Sequence, residues 1–249
     1  PGLRGTLNVE GNFYQNLDYP YCFRKGIHVL NCGSAYALPV AEMALGMALD
    51  LARGISREDR RFRAGREGFL SESCRDSVLL SGAEVGIIGF GNLGKALAKL
   101  LQPFRCSLRI YDPWLPESVL REYGGTAISL EELLEKSRFI FVMAGVTQEN
   151  QGFLGRSLLE RIRKDAFFLL MSRAAVVDFD ALCDLTEAGR FNAATDVFPE
   201  EPLPKDHRAR KNEHLLLSAH RAGGIPQAYT AIGDMVLDDL RLLLQGLPP

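Results

Sequence analysis

Six short apolar runs punctuate the chain from residue 84 onward: EVGIIG (84–89), SLRIYD (107–112), RFIFVMA (138–144), AFFLLMS (166–172), AATDVF (193–198) and HLLLSAH (214–220). A strand with one wet face alternates apolar and polar residues. Most of these runs do not alternate, so each is expected to be buried on both faces, as in a parallel sheet. Parallel neighbours need crossovers long enough to hold a helix, and right-handed crossovers build a doubly wound α/β sheet. The intervening segments carry the helix signals. Ser129 with Glu132 and Ser157 with Glu160 match capping boxes for helices at 130–136 and 158–164, and Asp180 suits the cap of a helix that Gly189 ends.

Two flanks lie outside this block. Residues 1–33 hold a short α/β-like remnant in which GIHVLNCG reads as strand and turn. Residues 225–246 predict an amphipathic helix with Pro226 in its first turn, Ile232, Val236, Leu240 and Leu243 on one face, and Gly246 at its end. Between the first flank and the block runs a helix at roughly 37–53, then the arm RGISREDRRFRAGREGF. The arm's arginines are interspersed with Glu58, Asp59 and Glu67, which suits a solvated or subunit-facing arm better than an anion patch.

Composition bounds the function classes. The 249 residues are 47% hydrophobic and 24% charged, with a net charge of −2, so nothing global favours nucleic acid or an anionic membrane. The longest apolar stretch, 35–52, is broken by Glu42 and Asp50 and reads as a buried helix. Cys22, Cys32, Cys74, Cys106 and Cys183 are scattered with no C-x-x-C. They suggest neither a disulfide framework nor a metal site, and fit a reducing, cytoplasmic setting.

The first apolar run feeds VGIIGFGNLGKALAKL, which contains Gly89-x-Gly91-x-x-Gly94 between a strand and a helix. Gly89 permits the tight turn, Gly91 lets a pyrophosphate approach the backbone, and Gly94 lets helix and strand pack closely. Amides at the helix start then face the anion. About 20 residues on, the next strand ends at Tyr111-Asp112, where a carboxylate binds the adenosine ribose and repels a 2′-phosphate. Asp112 also suits a turn before Pro113. The unit is read as a dinucleotide site favouring NAD (NADH) over NADP.

In open α/β sheets, ligands bind beyond the carboxyl ends of the strands. Arg173, Glu201 and His220 lie at or just past such tips. Singly they read as a surface residue, a loop charge and a core histidine. Together they suit hydride transfer next to a carboxylate. Arginine forks a carboxylate, histidine exchanges a proton near neutral pH, and a glutamate beside it favours the imidazolium.

With these residues in view the chain resembles the D-isomer-specific 2-hydroxyacid dehydrogenase family over nearly its whole length. NCGSAYALPVAEMALGMALDLAR, VGIIGFGNLGKALAKLLQPF with YDP, SRAAVVDFDAL, ATDVFPEEPLP and LLLSAHRAGG carry the resemblance. It implies a Rossmann NAD-binding domain over 34–222, including the dimerisation helix and arm. It also implies an incomplete flavodoxin-like substrate domain from 1–33 and 223–249, with an N-terminal part expected outside this chain. It makes Arg173, Glu201 and His220 catalytic. Cofactor contacts are implied at Gly89, Gly91, Asn92, Leu93, Gly94, Asp112, Val146, Ser172, Arg173, Asp196 and His220, with Asp196 meeting the nicotinamide carboxamide. The loop VEGNFYQN resembles one whose backbone binds the substrate carboxylate, here at Gly11 and Asn12, beside Arg173 and His220. The implied protein is a homodimer acting on a small 2-hydroxy or 2-keto acid, glyoxylate- or hydroxypyruvate-reductase-like or phosphoglycerate-dehydrogenase-like, without metal. Three local departures stand out: Ala174 replaces a glycine, Leu170-Met171 replaces Asn-Thr, and Ser-Ala-His-Arg replaces Thr-Pro-His-Ile. Two other readings stand beside this one. The chain could be a non-catalytic NAD-binding protein, as among co-repressor relatives, or an inactive fragment.

Overall fold

The structure is a computed structural model that describes residues 2–9 and 17–249. In chain order the elements are β1 (Gly5–Asn8), α1 (Tyr19–Arg24), β2 (His28–Asn31), α2 (Ala37–Arg53), α3 (Ile55–Arg63), β3 (Glu84–Ile88), α4 (Asn92–Leu101), β4 (Ser107–Tyr111), α5 (Glu117–Glu122) and β5 (Gly125–Ala127). There follow α6 (Leu130–Lys136), β6 (Phe139–Val142), α7 (Arg156–Leu159), β7 (Phe167–Leu170), α8 (Phe179–Glu187), β8 (Asn192–Thr195), β9 (Leu215–Leu217) and α9 (Pro226–Leu244).

All six expected strands are present and join one parallel sheet in the order β5-β4-β3-β6-β7-β8-β9. The order reverses beside β3, which leaves a crevice at the carboxyl ends of β3 and β6. The period of two explains the two cores. Phe139, Phe141, Phe167 and Leu169 face one way, into a layer built by α2 and α4. Ile140, Val142, Phe168 and Leu170 face the other, towards α6 and α8. On α2, Ala41, Ala44, Ala48 and Ala52 are buried, and this small-residue stripe brings the helix against α4, β7 and β8. Among the described residues no helix is long and apolar enough to cross a membrane.

Three local expectations need correction. The edge strand β5 was not foreseen, because GTA is too short and polar to stand out. The helix expected at 158–164 is a single turn, α7, capped by Gly155, with Ser157 inside it. Leu159 and Ile162 there are buried in the core with Leu158 packed against it, and the chain must turn within a few residues to enter β7. The cap of α8 is Asp178, whose carboxylate accepts from Ala181 N at 2.9 Å, not Asp180. Phe179 is buried, so the helix has to begin there. Ser129 caps α6 as expected, and Gly189 follows α8 in the left-handed conformation.

The N- and C-terminal flanks meet. β1 and β2 form a separate parallel pair, and α9 packs on it through Leu243, which touches the position of a Cβ at Gly5. Ile232 and Leu243 are buried as expected, while Leu240 is 40% exposed.

Candidate active site

A cleft of about 500 Å³ opens where the carboxyl ends of β3, β6, β7 and β8 meet the tip of β2. Gly91, Asn92 and Leu93 form one wall at the start of α4. The turn follows from its glycines. Gly89 has φ +85, and a Cβ there would lie 2.5 Å from Ala144 Cα. A Cβ on Gly94 would lie 2.6 Å from Gly89 O. Gly91 differs: a Cβ there meets nothing within 4 Å and would project into open space. The first-turn amides of α4 lack partners within the helix and, with its dipole, favour an anion at this wall.

Asp112 braces the turn. Its Oδ2 accepts from Phe90 N at 2.7 Å, and its Oδ1 accepts from Trp114 N at 3.0 Å and Leu115 N at 3.2 Å. The turn-residue reading of Asp112 therefore holds. A carboxylate offers about four acceptor sites, so capacity for a ribose hydroxyl remains. Val146 packs against the core around Val142 and Leu170, whereas its neighbour Gly145 lines the cleft.

Ser172, Arg173, Asp196 and His220 line the same cleft. Ser172 Oγ is buried with no hydrogen-bond partner. Arg173 is half-buried, and its Nη1 donates to Ser172 O at 2.8 Å. Ala174, where the resembled family has glycine, is buried and is not among the positive-φ residues, so a side chain costs nothing there. Glu201 stands behind the cleft wall. Its Oε2 meets His220 Nδ1 at 2.5 Å, and its Oε1 accepts from Phe198 N at 2.9 Å. The imidazole is thus held at Nδ1, which leaves Nε2 as its reactive nitrogen. Gly11 and Asn12 lie outside the described residues.

The cleft also takes in Asn31, Tyr36, Met143, Met171 and Gly223, which sequence reasoning missed. Asn31 ends β2, and the rule about strand tips would have found it. Tyr36 and Gly223 needed the fold: they come from the two chain crossings between the strand pair and the large sheet, and a Cβ on Gly223 would press 2.9 Å from the Tyr36 ring.

The residues present fit a dinucleotide. An uncluttered glycine sits at a helix start, a buried hydroxyl has no partner in the cleft wall, and a braced carboxylate lies beyond the next strand. The comparisons with known proteins agree. Residues 45–222 match the family described as D-isomer specific 2-hydroxyacid dehydrogenase, NAD binding domain. A glyoxylate reductase of Korarchaeum cryptofilum is 29% identical over 95% of this chain and 72% of its own. A D-3-phosphoglycerate dehydrogenase of Methanocaldococcus jannaschii is 28% identical over 97% of this chain, which spans 46% of that relative. The crystal structure of a phosphoglycerate oxidoreductase from Rhizobium etli superimposes with a TM-score of 0.90 at 48% identity, covering 99% of this chain and 80% of that one. By sequence and by fold, the chain belongs to the D-isomer specific 2-hydroxyacid dehydrogenase family, with its NAD-binding domain in residues 45–222.

Proposed function

We propose that the protein interconverts a small D-2-hydroxy acid and its 2-keto acid, with Arg173, Glu201 and His220 as the working residues. The family places it among the NAD-dependent oxidoreductases. The observation that carries the residue roles is the bond between Glu201 and His220, which lines the same cleft as Arg173 and the glycine turn.

When bound, the nicotinamide supplies or accepts the hydride at C2. In reduction, the Arg173 guanidinium binds the substrate carboxylate through its planar fork and polarises the adjacent carbonyl. His220, as imidazolium, donates its Nε2 proton to the carbonyl oxygen as that oxygen becomes a hydroxyl. Glu201 holds Nδ1 and offsets the imidazolium charge. In oxidation the neutral imidazole takes the hydroxyl proton. Reduction needs the imidazolium and oxidation the neutral imidazole, so the two directions should have opposite pH dependence.

On this reading residues 34–222 form the cofactor unit, and residues 1–33 with 223–249 belong to the substrate unit. The working form is a homodimer. A cytoplasmic setting is part of the proposal, supported by five unpaired cysteines.

The test is turnover with NADH against glyoxylate, hydroxypyruvate and 3-phosphohydroxypyruvate. His220→Ala should bind NADH almost normally but lose about 10²–10⁴-fold in rate. Arg173→Lys should chiefly raise KM, because a point charge cannot replace the fork. A His220→Ala protein that works at the unmutated rate would sink the acid–base assignment. NADH binding without turnover of any of these acids would favour the non-catalytic reading.

A further inference from the structure

His220 has φ +48, a left-handed backbone that a side chain with a Cβ rarely adopts. Something must hold it there, and three successive amides show what. His220 N donates to the main-chain oxygen of Asp196 at 2.8 Å. Arg221 N donates to Asp196 Oδ1 at 3.1 Å, and Ala222 N to Asp196 Oδ2 at 3.0 Å. Asp196 is 1% exposed, so its charge is taken out of water and compensated by these bonds. It is itself braced: the buried Thr195 hydroxyl donates to Val197 O at 2.7 Å, closing the turn around it.

We infer that Asp196 is a positioning residue, whose carboxylate grips the amides after His220 and holds the histidine in the left-handed conformation that presents its ring to Glu201. The direction of a Cα–Cβ bond is set by the backbone at that residue. Relaxation of His220 to an ordinary φ would swing the ring and break the Nδ1–Glu201 contact. This role is additional to any contact between Asp196 and a nicotinamide, and it rests on the acid–base reading of His220.

Asp196→Asn keeps the size of the side chain but replaces one acceptor oxygen by an NH₂ group, which would face a backbone donor. The measurements are amide hydrogen exchange at residues 220–222, kcat and KM with a keto acid, and affinities for NADH and for ADP-ribose, which lacks the nicotinamide. In the unmutated protein the amides of Arg221 and Ala222 should exchange as slowly as those of β8. In the variant they should exchange about tenfold faster or more. The variant's kcat should fall about tenfold or more, while KM and the affinity for ADP-ribose stay within about twofold. Fast exchange at 221 and 222 in the unmutated protein would overturn the inference even if the variant failed to fold. So would a variant with unchanged exchange. A selective loss of NADH affinity over ADP-ribose, with exchange and kcat unaltered, would assign Asp196 to the nicotinamide instead. Failure of the functional reading is read separately, as absence of turnover in the unmutated protein.

Discussion

Gly89 and Gly91 sit two residues apart and are glycine for different reasons. At Gly89 the backbone is left-handed and a Cβ would strike Ala144, so the constraint is internal to the fold. At Gly91 the backbone is extended, φ −72, and a Cβ would meet nothing within 4 Å, so the fold itself sets no constraint and the proposed one is the ligand. Gly91→Ala should therefore melt within about 0.5 kcal/mol of the unmutated protein yet bind NADH about tenfold or more weakly. Gly89→Ala should lose about 2–4 kcal/mol of stability through strain and clash together. Paired thermal melts and NADH titrations check both, and equal NADH affinity in Gly91→Ala would contradict the pyrophosphate reading. Asp112 braces the turn and, on the proposed reading, also meets the ribose. Asp112→Ser should narrow the preference for NADH over NADPH by removing repulsion of the 2′-phosphate, and should weaken binding of both by loosening Phe90 N. Equal affinities for the two cofactors in the unmutated protein would refute the repulsion argument.

Helix α8 shows how an element's boundary is chosen. Asp178 and Asp180 are both chemically able to cap it, and the side chain between them decides, because Phe179 is buried against Phe198 in an edge-on ring contact. The helix starts where that ring enters the core. Asp178 becomes the cap, and Asp180 becomes a surface partner of Arg208 at 3.3 Å. Asp178→Ala should cost about 1 kcal/mol, as lost caps do. Asp180→Ala, at a pair whose carboxylate is 84% exposed, should cost less than about 0.5 kcal/mol. Urea melts of the two variants separate them, and equal losses would show that the cap is shared. Helix α2 follows the same logic. Its alanine stripe faces α4, while Glu42, Met43, Met47 and Asp50 line a shallow groove with Leu216 and Arg221 of the segment around β9.

Beyond that groove the molecule leaves a large apolar surface in water. Ile55, Phe62, Phe69, Leu70 and Leu79, in and around the arm, are each more than half exposed. Several of the arm's charges are paired: Arg57 with Asp76 beyond the arm at 2.7 Å, Arg61 with Glu58 at 3.2 Å, and Arg63 with Asp59 at 2.9 Å. Its large apolar side chains lie in water. A two-fold contact repeats each of them, doubling the burial for one interface. Sedimentation at micromolar concentration should give a dimer. Phe62→Glu with Phe69→Glu should shift it to monomer, since each buried charge would lack a partner. A monomer in the unmutated protein would remove the assembly from the proposal.

Local patterns sufficed for the parallel sheet and the glycine turn, and they pointed to the strand tips where the proposed chemical residues lie. Short apolar runs bounded by turn residues suit strands covered on both sides, and three glycines at that spacing between a strand and a helix suit the tight turn. Arg173, Glu201 and His220 were legible because strand ends are where polar groups gather in such folds. The pairing of His220 with Glu201 spans 19 residues and was legible only as a grouping near strand tips; its geometry depends on where two loops come to rest. Tertiary structure likewise decided the bond from Phe90 N to Asp112, which joins residues 22 apart, and the contact of Tyr36 with Gly223, which meet only because the chain crosses twice between its two sheets. The left-handed backbone at His220 left no mark in the sequence at all. A histidine there looks like any strand end, and its conformation is set by Asp196, a residue 24 positions earlier that becomes its neighbour only when β8 and β9 pair.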